Sequence, residues 1–354
     1  MKIGNVDLKH KLIVAPMAEI TDAPFRIIAK KYGAGLTFTQ MVNAQGVVRN
    51  DFNTLRLLSF PKSEKPIGVQ LLGNDPYYLK SAVNELKHFK PDVIDLNCGC
   101  PVDKVTRKNM GASLLNDPAN LGMLINSMVK EAGEIPISVK IRLGKDAKNI
   151  NAVENIKAAE DNGAAFVTLH TRYKTDRYDQ EAKWDWIPII KNKVKIPIVA
   201  NGSVFDPLDA VRLIKEFGSD SVMVARGALG NPFFFKRFNS IMEKGEDPGV
   251  PGVQEICQIV LEHLKLLVGE YGEQKGVNKS KKHIIWYFKS LPGANIIIED
   301  IFKFTDSKSL ADYISNHAKK IEENQFEELD KNFINQLFCD KVQFWLYEES
   351  GVTP

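Results

Sequence analysis

Eight short apolar runs rich in β-branched residues recur before residue 235, about 25 to 30 residues apart with one longer gap. They read "LIVAPM" (12–17), "LTFTQM" (36–41), "PIGVQLLG" (66–73), "VIDLNCG" (93–99), "ISVKIRL" (137–143), "FVTLHTR" (166–172), "IPIVANG" (196–202) and "SVMVARG" (221–227). Strand-sized runs separated by helix-length stretches are the spacing of βα units in a parallel sheet. Eight in succession favour a closed barrel over an open doubly wound sheet. The expected fold class is therefore α/β, a (β/α)8 TIM barrel. Segments such as "DPYYLKSAVNELKHF" and "DPLDAVRLIKEFG" open on Asp-Pro, which suits a capped helix start with proline in its first turn.

After the eighth unit, "EKGEDPGVPG" (243–252) is a Gly/Pro-rich break that reads as a linker. Beyond it, "VQEICQIVLEHLKLLVGEY" places Val253, Ile256, Val260, Leu264 and Leu267 on one helical stripe, and further helical patterns follow. The expected organisation is a barrel over 1–242, a linker over 243–252 and a small C-terminal helical bundle domain over 253–354.

Hydrophobic content of 44% and charged content of 26% describe an ordinary globular chain. A net charge of +3 is too small to point to nucleic acid by itself. The four cysteines (98, 100, 257, 339) form no disulfide framework, and no stretch approaches the roughly 20 apolar residues that span a bilayer. The N-terminus lacks a long apolar segment with a small-residue cleavage site. A reduced, soluble, cytoplasmic protein is expected, monomeric and without contact to a membrane.

In a barrel of this kind, chemistry is built at the C-terminal ends of the strands. Those ends carry, in order, Pro16 and Met17, Gln40, Gln70, Asn97 with Cys98 and Cys100, Lys140 with Arg142, His170, Asn201 with Gly202, and Arg226 with Gly227. A lone Gln or Asn there is more often an innocent strand-ending residue, but seven agreeing ends are harder to dismiss. "ANGSV" and "ARGALGNP" are small-residue turns after the seventh and eighth strands, a common phosphate site in such barrels. Arg226 adds a bidentate phosphate donor, and Lys140 in an apolar strand is costly unless it faces an anion or an electron-rich ring. A phosphorylated, electron-accepting cofactor fits, with FMN the commonest candidate.

Cys98 and Cys100 lie in "LNCGCPVDKV" (96–105). With no second Cys/His pair at ligand spacing they make a poor metal site, so no metal is expected. C-x-C also lacks the usual C-x-x-C redox geometry. Cys98 reads as packing at a strand end; Cys100 lies past the strand, before a proline that fixes the turn.

"APMAEITDAPFR", "VQLLG", "LNCGCPVDKV", "GASLL", "KIRLG", "TLHTR", "ANGSV" and "KKHIIWYF" together resemble the successive motifs of the tRNA-dihydrouridine synthases, over about residues 10 to 295. The last is most similar to the bacterial B-type branch. The resemblance implies an FMN barrel joined to a helical tRNA-binding domain, with NADPH reducing FMN and the flavin reducing the 5,6 double bond of uridine in tRNA. By position it implies that Pro16, Met17, Ala18, Gln70, Lys140, His170, Asn201, Gly202, Ser203, Ala225 and Arg226 hold FMN, and that Cys100 is the catalytic acid. The chain departs from the family pattern at Gln40, Lys174, Asp176 and in "KKH" at Lys282. Exchanging Arg for Lys at such a site loses bidentate phosphate geometry.

A thiol titrating at about 8.5 is mostly protonated at pH 7, so Cys100 suits a proton donor better than a nucleophile. The target uridine must leave its stack to reach such a site. "QKGVNKSKKHIIWYFK" supplies Lys275, Lys279, Lys281, Lys282, His283 and Lys289 beside Trp286 and Tyr287. Alone, a charge run is usually a solvated face; appended to a flavin barrel it is expected to meet the RNA backbone. Two rival readings are a flavin-dependent reductase of a small pyrimidine, which has no use for the basic helices, and an RNA-binding protein with a vestigial barrel.

Overall fold

The computed structural model describes residues 2–3 and 6–326. Each of the eight runs forms a strand: β1 (Leu12–Val14), β2 (Leu36–Phe38), β3 (Ile67–Leu72), β4 (Val93–Cys98), β5 (Ile137–Arg142), β6 (Phe166–His170), β7 (Ile198–Asn201) and β8 (Ser221–Val224). All neighbours pair in parallel, and β8 returns to β1 through Val222 opposite Leu12, so the sheet closes into an eight-stranded barrel. The short strand Val42–Asn43 adds to the mouth beside Leu71 and Leu72.

A parallel barrel covered by helices buries both faces of its strands, which is why the runs are continuously apolar rather than alternating. Every position of the eight strands is buried except Lys140. The Asp-Pro starts behave as their chemistry requires. Asp75 accepts from the N–H groups of Tyr77 and Tyr78 at the start of α1 (Pro76–Leu86), and Asp206 with Asp209 forms a capping box on α2 (Pro207–Lys215).

The chain divides into two compact units. Among the described residues, those up to 227 with 238–246 form the barrel unit; residues 228–237 and 247–326 form the second. The division therefore runs through α3 (Phe233–Lys244). The second unit contains α4 (Val253–Tyr271), α5 (Glu273–Phe288), α6 (Ala294–Asp300) and α7 (Ser307–Glu322). The stripe read from sequence buries Ile256, Val260, Leu264 and Leu267. Gly272 (φ +80°) turns the chain between α4 and α5, and a side chain at Gly276 would lie 2.5 Å from the Val268 backbone, so α5 packs closely on α4. The expected bundle reached residue 354; residues 327–354, with Cys339, lie outside the described residues. Among the described residues no helix is long and apolar enough to cross a membrane.

Candidate active site

Parallel register sets the strand ends side by side. Gln70 pairs with Asp95, Asn97 with Lys140, Arg142 with His170, and His170 with Asn201. Gln70, Lys140, His170 and Asn201 are thus brought together at one mouth of the barrel.

The β7 end is a built turn. Asn201 donates to the Met223 carbonyl (2.8 Å), tying β7 to β8. Gly202 (φ +116°) and Ser203 (φ +52°) follow in left-handed conformations. A side chain at Gly202 would lie 2.9 Å from the His170 ring, so the backbone passes where only glycine fits. Ser203 Oγ accepts from Arg172 (2.7 Å) and from the Ala182 N–H (3.1 Å). After β8, Ala225 is half-buried, and the Arg226 guanidinium donates to the Tyr178 carbonyl (2.9 Å) and lies 5.4 Å from the Tyr178 ring and 5.0 Å from the Phe205 ring. In the β1 loop Pro16 and Met17 are half-buried and Ala18 is exposed. The Met17 N–H donates to Thr21, and Gln40 accepts from the Glu19 N–H (2.6 Å), so Gln40 holds this loop.

The mouth is cationic. Burial, then the charges of Arg142, Lys140, Arg172 and Arg226, press the His170 imidazole well below its usual range, so it is neutral. Arg172 Nη1 lies 3.0 Å from His170 Nε2; a guanidinium only donates, so Nε2 is the acceptor and the ring proton sits on Nδ1. Burial, with Arg142 next, lowers Lys140 to about 8. Among the described residues the Lys140 ammonium makes no hydrogen bond or ion pair. Donors of this kind around a glycine turn suit an anionic, planar group such as FMN.

Cys100 begins the loop after β4. Asn97 Oδ1 accepts from the Gly99 N–H (3.1 Å) and the Cys100 N–H (2.9 Å), the Gly99 carbonyl accepts from Arg142 Nε (2.8 Å), and the Cys100 carbonyl accepts from the Ala112 N–H (2.9 Å). Burial raises the Cys100 thiol above its usual range, more than the Val102 N–H, Arg142 and Lys140 lower it, so it keeps its proton at neutral pH. Cys98 is wholly buried in β4, with its thiol pushed higher still, and packs.

Of the expected RNA-facing residues, Lys279 and Lys282 are half-buried, as is Lys289, and Lys275 is exposed. Lys275 and Lys279 lie over the Tyr271 ring at 5.6 and 4.9 Å. Lys281 and His283, expected among them, are instead buried residues of α5. Lys281 is 8% exposed and donates to Asn278, while His283 is 2% exposed with its ring against His263 and Trp286. The physical reason is helical period: Lys281 falls in line with buried Val277, Ile284 and Phe288, and His283 with buried Ser280 and Tyr287. The sequence reading missed Arg172, Tyr178, Asp95 and Ser138, whose contacts cross between strands and loops.

The family described as "Dihydrouridine synthase (Dus)" matches residues 13–325. Among curated proteins, the chain is 34% identical over 308 residues to tRNA-dihydrouridine synthase B of Pasteurella multocida, covering 87% of this chain and 92% of that one. It is 36% identical over 294 residues to tRNA-dihydrouridine synthase B of Pseudomonas aeruginosa, covering 83% and 88%. It is also 34% identical over 324 residues to the probable tRNA-dihydrouridine synthase 1 of Synechocystis sp., covering 90% of each. A solved structure of morphinone reductase superposes with a TM-score of 0.50 at 12% identity, over 68% of this chain and 88% of that one, a likeness of fold alone. With the barrel, the "GCP" turn and the match over 13–325 agreeing, the chain belongs to the dihydrouridine synthase family.

Proposed function

We propose that this protein reduces the 5,6 double bond of uridines in tRNA to dihydrouridine, using FMN and NADPH, with Cys100 as the proton donor. The observation that carries the reading is the Cys100 turn, held by Asn97 at the cationic mouth of the barrel, where burial favours the protonated thiol. The residues suited to hold FMN are Gln70, Lys140 and His170, the turns Asn201–Ser203 and Ala225–Arg226, and the loop of Pro16, Met17 and Ala18. When bound and reduced by NADPH, FMN supplies the hydride. Addition of hydride at C6 of a uracil ring leaves an electron pair at C5. The Cys100 S–H delivers its proton there, so one hydride and one proton saturate the bond. Lys275, Lys279, Lys282 and Lys289 are the cations that serve the RNA backbone.

The test separates the half-reactions. Cys100→Ala keeps its flavin and its reduction by NADPH but loses turnover on tRNA by roughly 10²–10⁴. Cys98→Ala is much milder. Equal losses from the two changes, read by dihydrouridine formation in single turnover, overturn the assignment.

A further inference from the structure

A buried carboxylate lies behind Cys100, reached through two amides. Asp95, in the middle of β4, is 1% exposed. Its Oδ1 accepts from Ser138 Oγ (2.6 Å) and its Oδ2 from Gln70 Nε2 (2.7 Å). Gln70 Oε1 accepts from Asn97 Nδ2 (2.8 Å), and Asn97 Oδ1 accepts from the N–H groups of Gly99 and Cys100. The line has two fixed ends. A carboxylate only accepts, and backbone N–H groups only donate. The two amides between them therefore run in one sense alone, each presenting its NH2 toward Asp95 and its oxygen toward Cys100.

We infer that Asp95 is a positioning residue for Cys100, acting through Gln70 and Asn97 to hold the turn that presents the thiol. The inference rests on the reading of Cys100 as proton donor, and it concerns the turn rather than the transfer. Without the acceptor at 95, the Gln70 NH2 is a buried donor facing nothing. That is costly enough to swing Gln70 out of line and release Asn97, whose oxygen holds both N–H groups. Asp95 also acts on Lys140 by charge, so the variants must separate charge from hydrogen-bond direction.

The readout is site-resolved alkylation of Cys100 by iodoacetamide in the flavin-loaded protein, followed by mass spectrometry, beside turnover on tRNA and reduction by NADPH. Asp95→Ala is expected to alkylate at Cys100 about tenfold faster and to turn over tRNA at least about tenfold more slowly. Asp95→Asn removes the charge but can still offer its oxygen to Gln70 and its NH2 to Ser138. It is therefore milder than Asp95→Ala; equal effects would assign the role to charge on Lys140 and overturn the inference.

A second arm serves if Asp95→Ala fails to fold. Gln70→Glu alone sets two carboxyl groups face to face; at an assay pH high enough to ionise both they repel and break the line, so Cys100 alkylates faster there. Adding Asp95→Asn moves the acceptor one place along. The side chain at 95 then donates to 70, accepts from Ser138, and leaves 70 accepting from Asn97. Cys100 alkylation in the double variant is expected to return to the wild-type rate. Unchanged alkylation in a folded Asp95→Ala, or no recovery in the double variant, overturns the positioning role. Retained turnover in Cys100→Ala instead defeats the proton-donor reading, while alkylation still reports on the turn.

Discussion

Lys140 is the one half-buried position of the barrel strands, and its ammonium makes no hydrogen bond or ion pair among the described residues. Burial and the nearby Arg142 lower it to about 8, against an ordinary lysine value of about 10.4. An anionic group bound beside it favours the ammonium, so binding takes up a proton wherever the free site has lost it. The sign follows from linkage: affinity is fully present below about pH 8 and declines as pH rises from there toward the pKa of the bound state. Flavin dissociation constants measured from pH 6.5 to 10 should stay flat to about 8 and then weaken by up to about tenfold per pH unit. Lys140→Ala should bind more weakly throughout and lose that slope. A wild-type affinity that is flat across pH 8–10 would remove Lys140 from the cofactor site.

At the level of elements, the turn after β7 carries a constraint that one methyl group tests. At Gly202 a side chain meets His170 and Ala182 near 3 Å in a backbone conformation that favours glycine. Gly202→Ala should cost about 1–3 kcal/mol in stability by strain and push the His170 ring aside. Thermal melting and FMN retention on gel filtration should both fall; an unchanged flavin content would mean the turn does not shape the cofactor site. The eight strands were legible in the sequence because a barrel strand buried on both faces must be a continuous apolar run, and the helix starts were legible because Asp-Pro caps locally. The polar strand ends were legible for the same reason. Asp95 and Ser138 were not, since each looks like a strand residue until register sets them in line. Arg172 and Tyr178 depend on where a loop folds back onto Ser203 and Arg226. At α5 the burial of Lys281 and His283 is carried by helical period, which a run of basic residues in the sequence masks.

At the scale of the whole molecule, a barrel that reduces a base needs a way to hold a polyanion, and a net charge of +3 does not supply it by bulk attraction. The basic residues of α5 that reach solvent are Lys275, Lys279 and Lys282, spaced to fall on one side of the helix, while Lys289 past its end is half-buried. Tyr271 lies under Lys275 and Lys279. Each phosphate they meet releases counterions, so log K for tRNA should fall with log salt by about 0.7–0.9 per contact. The double change Lys279→Ala/Lys282→Ala should therefore weaken tRNA binding and flatten the salt slope by about one to two units. Lys281→Ala should leave that slope nearly unchanged, because Lys281 is 8% exposed and its ammonium is engaged by Asn278. Flavin reduction by NADPH should be equal in all three proteins, since the residues proposed to hold the cofactor all lie in the barrel unit. Fluorescence anisotropy with labelled tRNA across a salt series, beside anaerobic stopped-flow of flavin bleaching, separates binding from chemistry. A salt slope that survives the double change but falls with Lys281→Ala would place the RNA on the opposite side of α5.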